Sequence, residues 1–316
     1  MIKMKIDYTN FMVALIITLL PVIILKYRGL EKPPKGIGKL LITGWGVLAL
    51  LFTLLLDWLS KTPISWITII PTILIGCIYC YFVIMDHINL KHLIKSTIAV
   101  LLFFCSSLLQ LIPILLFKIT AENTTPMIDA LLVVFSDTIL VILLILLYRQ
   151  DLKRDWQSFW KNRNQMLDDG FRFWILGFVL MMASNLLIQL LAPQSVAANE
   201  EAVQNMLKMA TVPTFICTTI FAPFIEEMVF RKSFKEVFKT KWLFAFTSGL
   251  VFGGLHVILS FTSAWDLLYI IPYSSLGVAF ALLCYKTDNI FPSITVHTLH
   301  NLLVTSISIM GMMVIL

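Results

Sequence analysis

Two adjacent carboxylates and an arginine stand inside an apolar run, PTFICTTIFAPFIEEMVFRKSFKEVFKTK, between Pro213 and Lys241. A charge at membrane depth costs a few kcal/mol or more, so such a group reads first as functional. On a helix Glu227 and Arg231 are four apart and pair along one face, whereas Glu226 points about 100° away and is left without a partner. Glu226 is therefore the candidate general base, able to take a proton from water. Pro223 removes a backbone donor just ahead of the acids and should free carbonyls that a cavity must satisfy. Two further runs each present a pair at i, i+4: Phe252 with His256, and His297 with Asn301. His256 suits sharing in water activation or protonating a leaving amine, and His297 with Asn301 offers donors to a developing oxyanion. Peptide-bond hydrolysis uses all four groups. Glu226, His256 and His297 also form a zinc-like ligand set with an open position. There is no H-E-x-x-H, however, and the three lie on separate helices, so the spacing leaves a directly activated water and a zinc site both open; no cofactor is the expectation and zinc is the alternative.

The elements that must position these groups are transmembrane helices. The chain has 316 residues, 59% of them hydrophobic, and a mean hydropathy of +0.90, which is too apolar for a soluble globular protein. An all-α, polytopic helical bundle is expected, with ten spans at 10–26, 40–58, 66–85, 98–117, 128–148, 173–192, 213–232, 242–260, 267–285 and 290–312. The first is expected to be a retained helix, since no small-residue cleavage site follows it. All but five of the 24 basic residues (Lys3, Lys5, Lys61, Lys118 and Lys208 are the exceptions) fall in alternate loops or at their edges. That asymmetry puts both termini outside by the positive-inside rule. The basic residues follow the membrane and form no single patch, so nucleic acid is not an expected partner; membrane lipid is. Nothing in the sequence fixes an oligomeric state. Cys77 and Cys80 form a lone C-x-x-C among apolar neighbours and read as packing residues.

Three parts are expected along the chain: an N-terminal bundle of five spans (1–150), an interfacial amphipathic segment (151–172) carrying Trp156, Phe159, Trp160, Met166 and Leu167, and a catalytic bundle of five spans (173–316). Asp137, near the centre of the fifth span, belongs either to a proton pathway or to a paired structural site. Between the sixth and seventh spans a short surface helix is expected, with Asn199 as its N-cap and Val203, Met206, Leu207 and Ala210 as its apolar stripe. Gly249 and Gly253 are spaced to let a neighbouring backbone approach, which would bring His256 within reach of another helix. His256 lies deep in its span while Glu226 stands only five residues before Arg231. They can meet only if the seventh helix runs unbroken through Phe234 with Arg231 buried, and that continuity is expected.

Glu226-Glu227-x-x-x-Arg231, Phe252-x-x-x-His256 and His297-x-x-x-Asn301 together resemble, in order and spacing, the three motifs of the CAAX-protease and bacteriocin-processing family, also called the Abi family, over about residues 170–316. The resemblance implies an intramembrane endopeptidase in which Glu226 and His256 activate water, His297 and Asn301 hold the oxyanion, and Glu227, Arg231 and Phe252 support them. It implies a membrane-associated peptide or protein as substrate, with bacteriocin processing or self-immunity as the setting. One departure is Lys232, where many members carry glycine. The Ile- and Lys-rich composition is more like that of a bacterial member, in a cell membrane, than of a processor of prenylated proteins. The alternative from another class is a non-catalytic scaffold resembling the lysostaphin-resistance branch, which binds a cell-envelope partner.

Overall fold

The computed structural model describes residues 90–192, 197–258 and 264–315. The first three expected spans and the Cys77/Cys80 pair lie outside them. All the described residues from Lys91 onward belong to one compact unit. They form helices throughout, in the order α1 (Leu90–Cys105), α2 (Leu111–Leu116), α3 (Pro126–Leu147), α4 (Arg149–Lys161), α5 (Arg163–Leu191), α6 (Ala198–Met209), α7 (Thr211–Val237), α8 (Lys241–Ile258), α9 (Ile270–Thr287) and α10 (Phe291–Ile315). A 3₁₀ turn joins α1 to α2, and another, Ala264–Tyr269, leads into α9.

This is an all-α, polytopic helical bundle. Among the described residues five helices are long and apolar enough to cross a membrane: Lys95–Leu116, Pro126–Leu147, Arg163–Leu191, Thr211–Val237 and Trp265–Thr287. The remaining two expected spans appear as α8 and α10. Local chemistry sets several of the ends. α3 starts at a Thr125 cap whose hydroxyl accepts from Ile128 N at 3.3 Å, with Pro126 in the first turn where its missing donor costs nothing. α9 stops at Asp288, which takes a left-handed φ of 49°, and Lys235 Nζ donates to the Cys284 carbonyl at 3.1 Å in its last turn, where a cation suits the helix dipole.

Two expectations change. The interfacial segment 151–172 is not one element: α4 ends at Lys161, and the rest forms the first turns of α5. The reason is burial on that side, since Met166, Asp169 and Gly170 pack inward. Lys286 Nζ donates to Asp169 at 2.6 Å, and a Cβ on Gly170 would stand 3.0 Å from Val296. Nor does a seam at 151–172 divide the described residues, because α1 and α3 pack with the motif helices. Leu140, Leu144 and Tyr148 share one core with Ile225, Met228, Val229, Phe230 and Phe252.

The motif helices are held at short range by small residues. A Cβ added to Gly249 would lie 2.4 Å from Val278 Cγ2, and one on Gly253 would lie 2.3 Å from Ser274 Oγ. A Cβ on Gly277 would meet the Gly249 backbone at 2.9 Å. α8 and α9 thus touch backbone to backbone, as the Gly249/Gly253 spacing predicts. The surface helix also forms, as α6, with Leu207 and Ala210 buried. Its N-cap is Ala197, without a side-chain cap; Asn199 lies inside the first turn and its side chain bonds to Tyr273 instead.

Candidate functional site

α7 runs unbroken from Thr211 to Val237, past Phe234 as the depth of His256 requires, and Arg231 is fully buried. Its regularity is interrupted twice by π turns, Cys217–Phe221 and Glu227–Lys232, a feature frequent at functional sites. The first ends two residues before Pro223. The second begins at Glu227, so the two acids straddle a change of helical register.

Glu226, from α7, stands between the two histidines. Its Oε1 is 3.9 Å from His256 Nε2 of α8 and its Oε2 is 3.6 Å from His297 Nε2 of α10. Both separations exceed a hydrogen bond and suit a water molecule held between the groups as reactant. Each imidazole is fixed through its other nitrogen. His256 Nδ1 lies 2.8 Å from the Phe252 carbonyl, an acceptor only, so Nδ1 carries the proton and the Nε2 lone pair faces Glu226. His297 Nδ1 lies 2.9 Å from Glu227 Oε1, so this nitrogen carries a proton toward the carboxylate and Nε2 is directed at Glu226.

Glu227 is fully committed. It holds His297 through one oxygen, accepts from Ser293 Oγ through the other, and pairs with Arg231 Nε at 3.5 Å. The Arg231 guanidinium makes that ion pair without a hydrogen bond through Nε, donates to the Gly277 carbonyl at 3.4 Å, and lies 4.3 Å above the Phe252 ring. A cation over a desolvated aromatic face is attracted by it, which accounts for Phe252 among the motif residues. Phe252 also packs 4.4 Å from the His256 ring, and Tyr273 stacks on that ring at 4.7 Å. Asn301 reaches α7 rather than the acids: its Nδ2 donates to the Thr218 carbonyl at 2.8 Å.

The structure therefore brings Glu226, Glu227, Arg231, Phe252, His256 and His297 into one interior cluster and sets Asn301 beside it on the first π turn. Asp137 of α3 accepts from the Cys217 thiol on that same turn. Among the described residues no three His, Cys, Asp or Glu side chains are spaced to hold a metal ion as they stand; Glu226, His256 and His297 are the residues that would hold zinc if it bound. Sequence reasoning missed Ser293 and Tyr273. Ser293 was within reach, being four residues before His297 on the same face of α10, as Asn301 is four after it. Tyr273 carries no such signal.

Lys232 is buried, and its Nζ donates to Asp155 Oδ2 of α4 at 2.9 Å. The packing that a lysine at this position puts in question is thus met by a carboxylate from a helix outside the motif region.

Comparison with known proteins follows the same residues. Residues 208–303 match the family model of type II CAAX prenyl endopeptidase, Rce1-like. The matched segment is similar to that family's model. It contains every motif residue named above and is narrower than the 170–316 expected. The chain is also similar to two proteins of Lactococcus lactis subsp. lactis (strain IL1403). It is 28% identical over 134 residues to UPF0177 protein YvdC, covering 40% of this chain and 49% of that one. It is 29% identical over 140 residues to UPF0177 protein YbdI, covering 42% and 73%. The chain thus spans about half the length of the first of these relatives. No solved structure matches. A multi-pass membrane protein with a CAAX-protease-like segment is what fold and comparison establish together.

Proposed function

We propose that the protein is an intramembrane endopeptidase that hydrolyses a peptide bond in a membrane-associated peptide or protein, using water activated by Glu226. The observation that carries this reading is the convergence of Glu226 with two histidines whose Nε2 atoms both face it. Glu226 takes a proton from the water as its oxygen attacks the scissile carbonyl, and the neutral Nε2 of His256 shares that proton. His297 donates to the oxyanion through Nε2 in its doubly protonated form, whose charge then sits against the Glu227 carboxylate. The second N–H of the Asn301 amide supplies another donor. The proton held by Glu226 and His256 passes to the amine as the C–N bond breaks.

Bacteriocin processing or self-immunity is the setting we propose, in a bacterial cell membrane with both termini outside. Detergent-purified protein incubated with a library of membrane-tethered peptides should cleave a subset of them, and cleavage should survive a strong chelator. A wild-type protein that cleaves none, while remaining folded, would overturn the enzyme reading in favour of a scaffold. Stoichiometric zinc lost together with activity in His256→Ala would overturn the metal-free mechanism instead.

A further inference from the structure

Pro223 is one turn from the acids, yet its ring carries no group able to take a chemical step. Its effect is on the backbone. In an α-helix a proline deprives the carbonyl four residues earlier of its donor, here Thr219. The π turn moves that register by one residue. Ala222 N–H bonds to the Cys217 carbonyl, five residues back, so it is not spent on Thr218. The next donor in the same register, which would close on Thr218, is the nitrogen of Pro223, and it carries no hydrogen. Proline and π turn together leave the Thr218 carbonyl without a helical donor.

That carbonyl is where Asn301 is held, with Nδ2 at 2.8 Å from the Thr218 oxygen. We infer that Pro223 is a positioning residue for Asn301: by withholding the N–H that would close the helix on Thr218, it reserves this carbonyl for the asparagine amide. The arrangement also decides which way the amide points. A carbonyl only accepts, so the NH₂ end must face α7, one N–H is used in the anchor, and the other stays free to donate. The Thr218 side chain does not compete, because its hydroxyl turns back to the Thr214 carbonyl at 3.0 Å and the Phe215 carbonyl at 3.2 Å. The catalytic consequence of the anchor rests on the hydrolytic reading above; the anchor itself does not.

The test is Pro223→Ala in the full-length protein in lipid nanodiscs, with asparagine side chains labelled with ¹⁵N and the Asn301 signal assigned by its loss in Asn301→Ala. The new N–H at position 223 takes the Thr218 carbonyl, so one Asn301 amide proton should move toward its solvent-exposed position. An Asn301 signal unchanged in Pro223→Ala overturns the inference, whatever the activity. Stability gives an independent check. Asn301→Ala strands a carbonyl in the proline protein and should lower its Tm, but should lower it less in Pro223→Ala, where the backbone satisfies that oxygen. Equal Tm losses in the two backgrounds overturn the inference. With a cleavable peptide, Pro223→Ala should lower kcat toward the level of Asn301→Ala with little change in KM, and should add nothing in the Asn301→Ala background. A merely structural proline would instead give independent, multiplying losses. If the Asn301 signal moves in Pro223→Ala while wild type cleaves no peptide, the anchor stands and the hydrolytic reading falls.

Discussion

Two charged regions lie less than two turns apart along α7 and are built on opposite rules. Around Lys232 four ion pairs close at hydrogen-bonding distance, with Glu236 standing apart at 3.7 Å from His92. Lys232 reaches Asp155 at 2.9 Å, Arg154 reaches the same carboxylate at 2.9 Å, Lys95 bonds to Asp151 and Lys235 to Asp288, and Asn289 donates to the Asp155 carbonyl at 2.6 Å. Around Glu226 the nearest partners stay at 3.6 and 3.9 Å. A saturated ion network locks two helices together and has nothing left to give to a substrate. A carboxylate held just beyond hydrogen-bonding distance of two oriented imidazoles has capacity to spare, because its neighbours are fixed by other groups. Glu227, adjacent in sequence, belongs to the saturated class.

The largest expected effect separates the two glutamates. Glu226→Gln should lower the cleavage rate by about 10²–10⁴-fold and leave the Tm near that of wild type. Glu227→Gln removes the charge that faces Arg231 and should cost about 3–5 kcal/mol of stability, the usual result of stranding one partner of a buried pair. Thermal melts and cleavage rates measured on both variants check this. Equal activity loss with equal Tm would erase the distinction between the two classes.

Asp155→Asn tests the network from its other side. It leaves Lys232 buried without a countercharge and should lower stability by about 3 kcal/mol, while molecules that remain folded keep their cleavage rate. A rate loss with unchanged Tm would show that α4 takes part in the chemistry.

The smallest effect is in pH. Burial alone pushes the Asp151 carboxyl up, but the hydrogen bond from Lys95 and the charges of Lys232, Lys95 and Arg154 override it and hold the group below its ordinary value of 3.8. A lowered carboxylate contributes stability that is present above the unfolded-state value and is lost as the pH falls through the folded one. The Lys95–Asp151 contribution should therefore persist down to about pH 4 and vanish below it. Melts of wild type and Asp151→Asn should converge as the pH falls under that value, and a gap that widened there would contradict the pairing.

The sequence disclosed the helical class and most helix boundaries because apolar length is a strong signal at membrane depth. The continuity of α7 was legible for a different reason: Glu226 and His256 could not meet at one depth if the helix ended at Arg231. Three things were not legible. A 3.6-residue period is blind to the π turns at Cys217 and Glu227, and Pro223 announced a freed carbonyl without telling that it would be the one at Thr218. The division of 151–172 between α4 and α5 depends on what Asp169 and Gly170 pack against, which composition does not specify. The Glu227–His297 bond joins residues seventy apart, and the i, i+4 pairing of Glu227 with Arg231 offered a complete but narrower account of the same acid.

The Lys232–Asp155 contact also governs how the protein can be cut and recombined. The matched segment begins at residue 208, and a chimera joined there would look like a natural module exchange. It would nevertheless bring in a lysine whose carboxylate stays behind with α4. A graft that keeps its ammonium neutralised must begin upstream of Arg149, or must replace Lys232 at the same time.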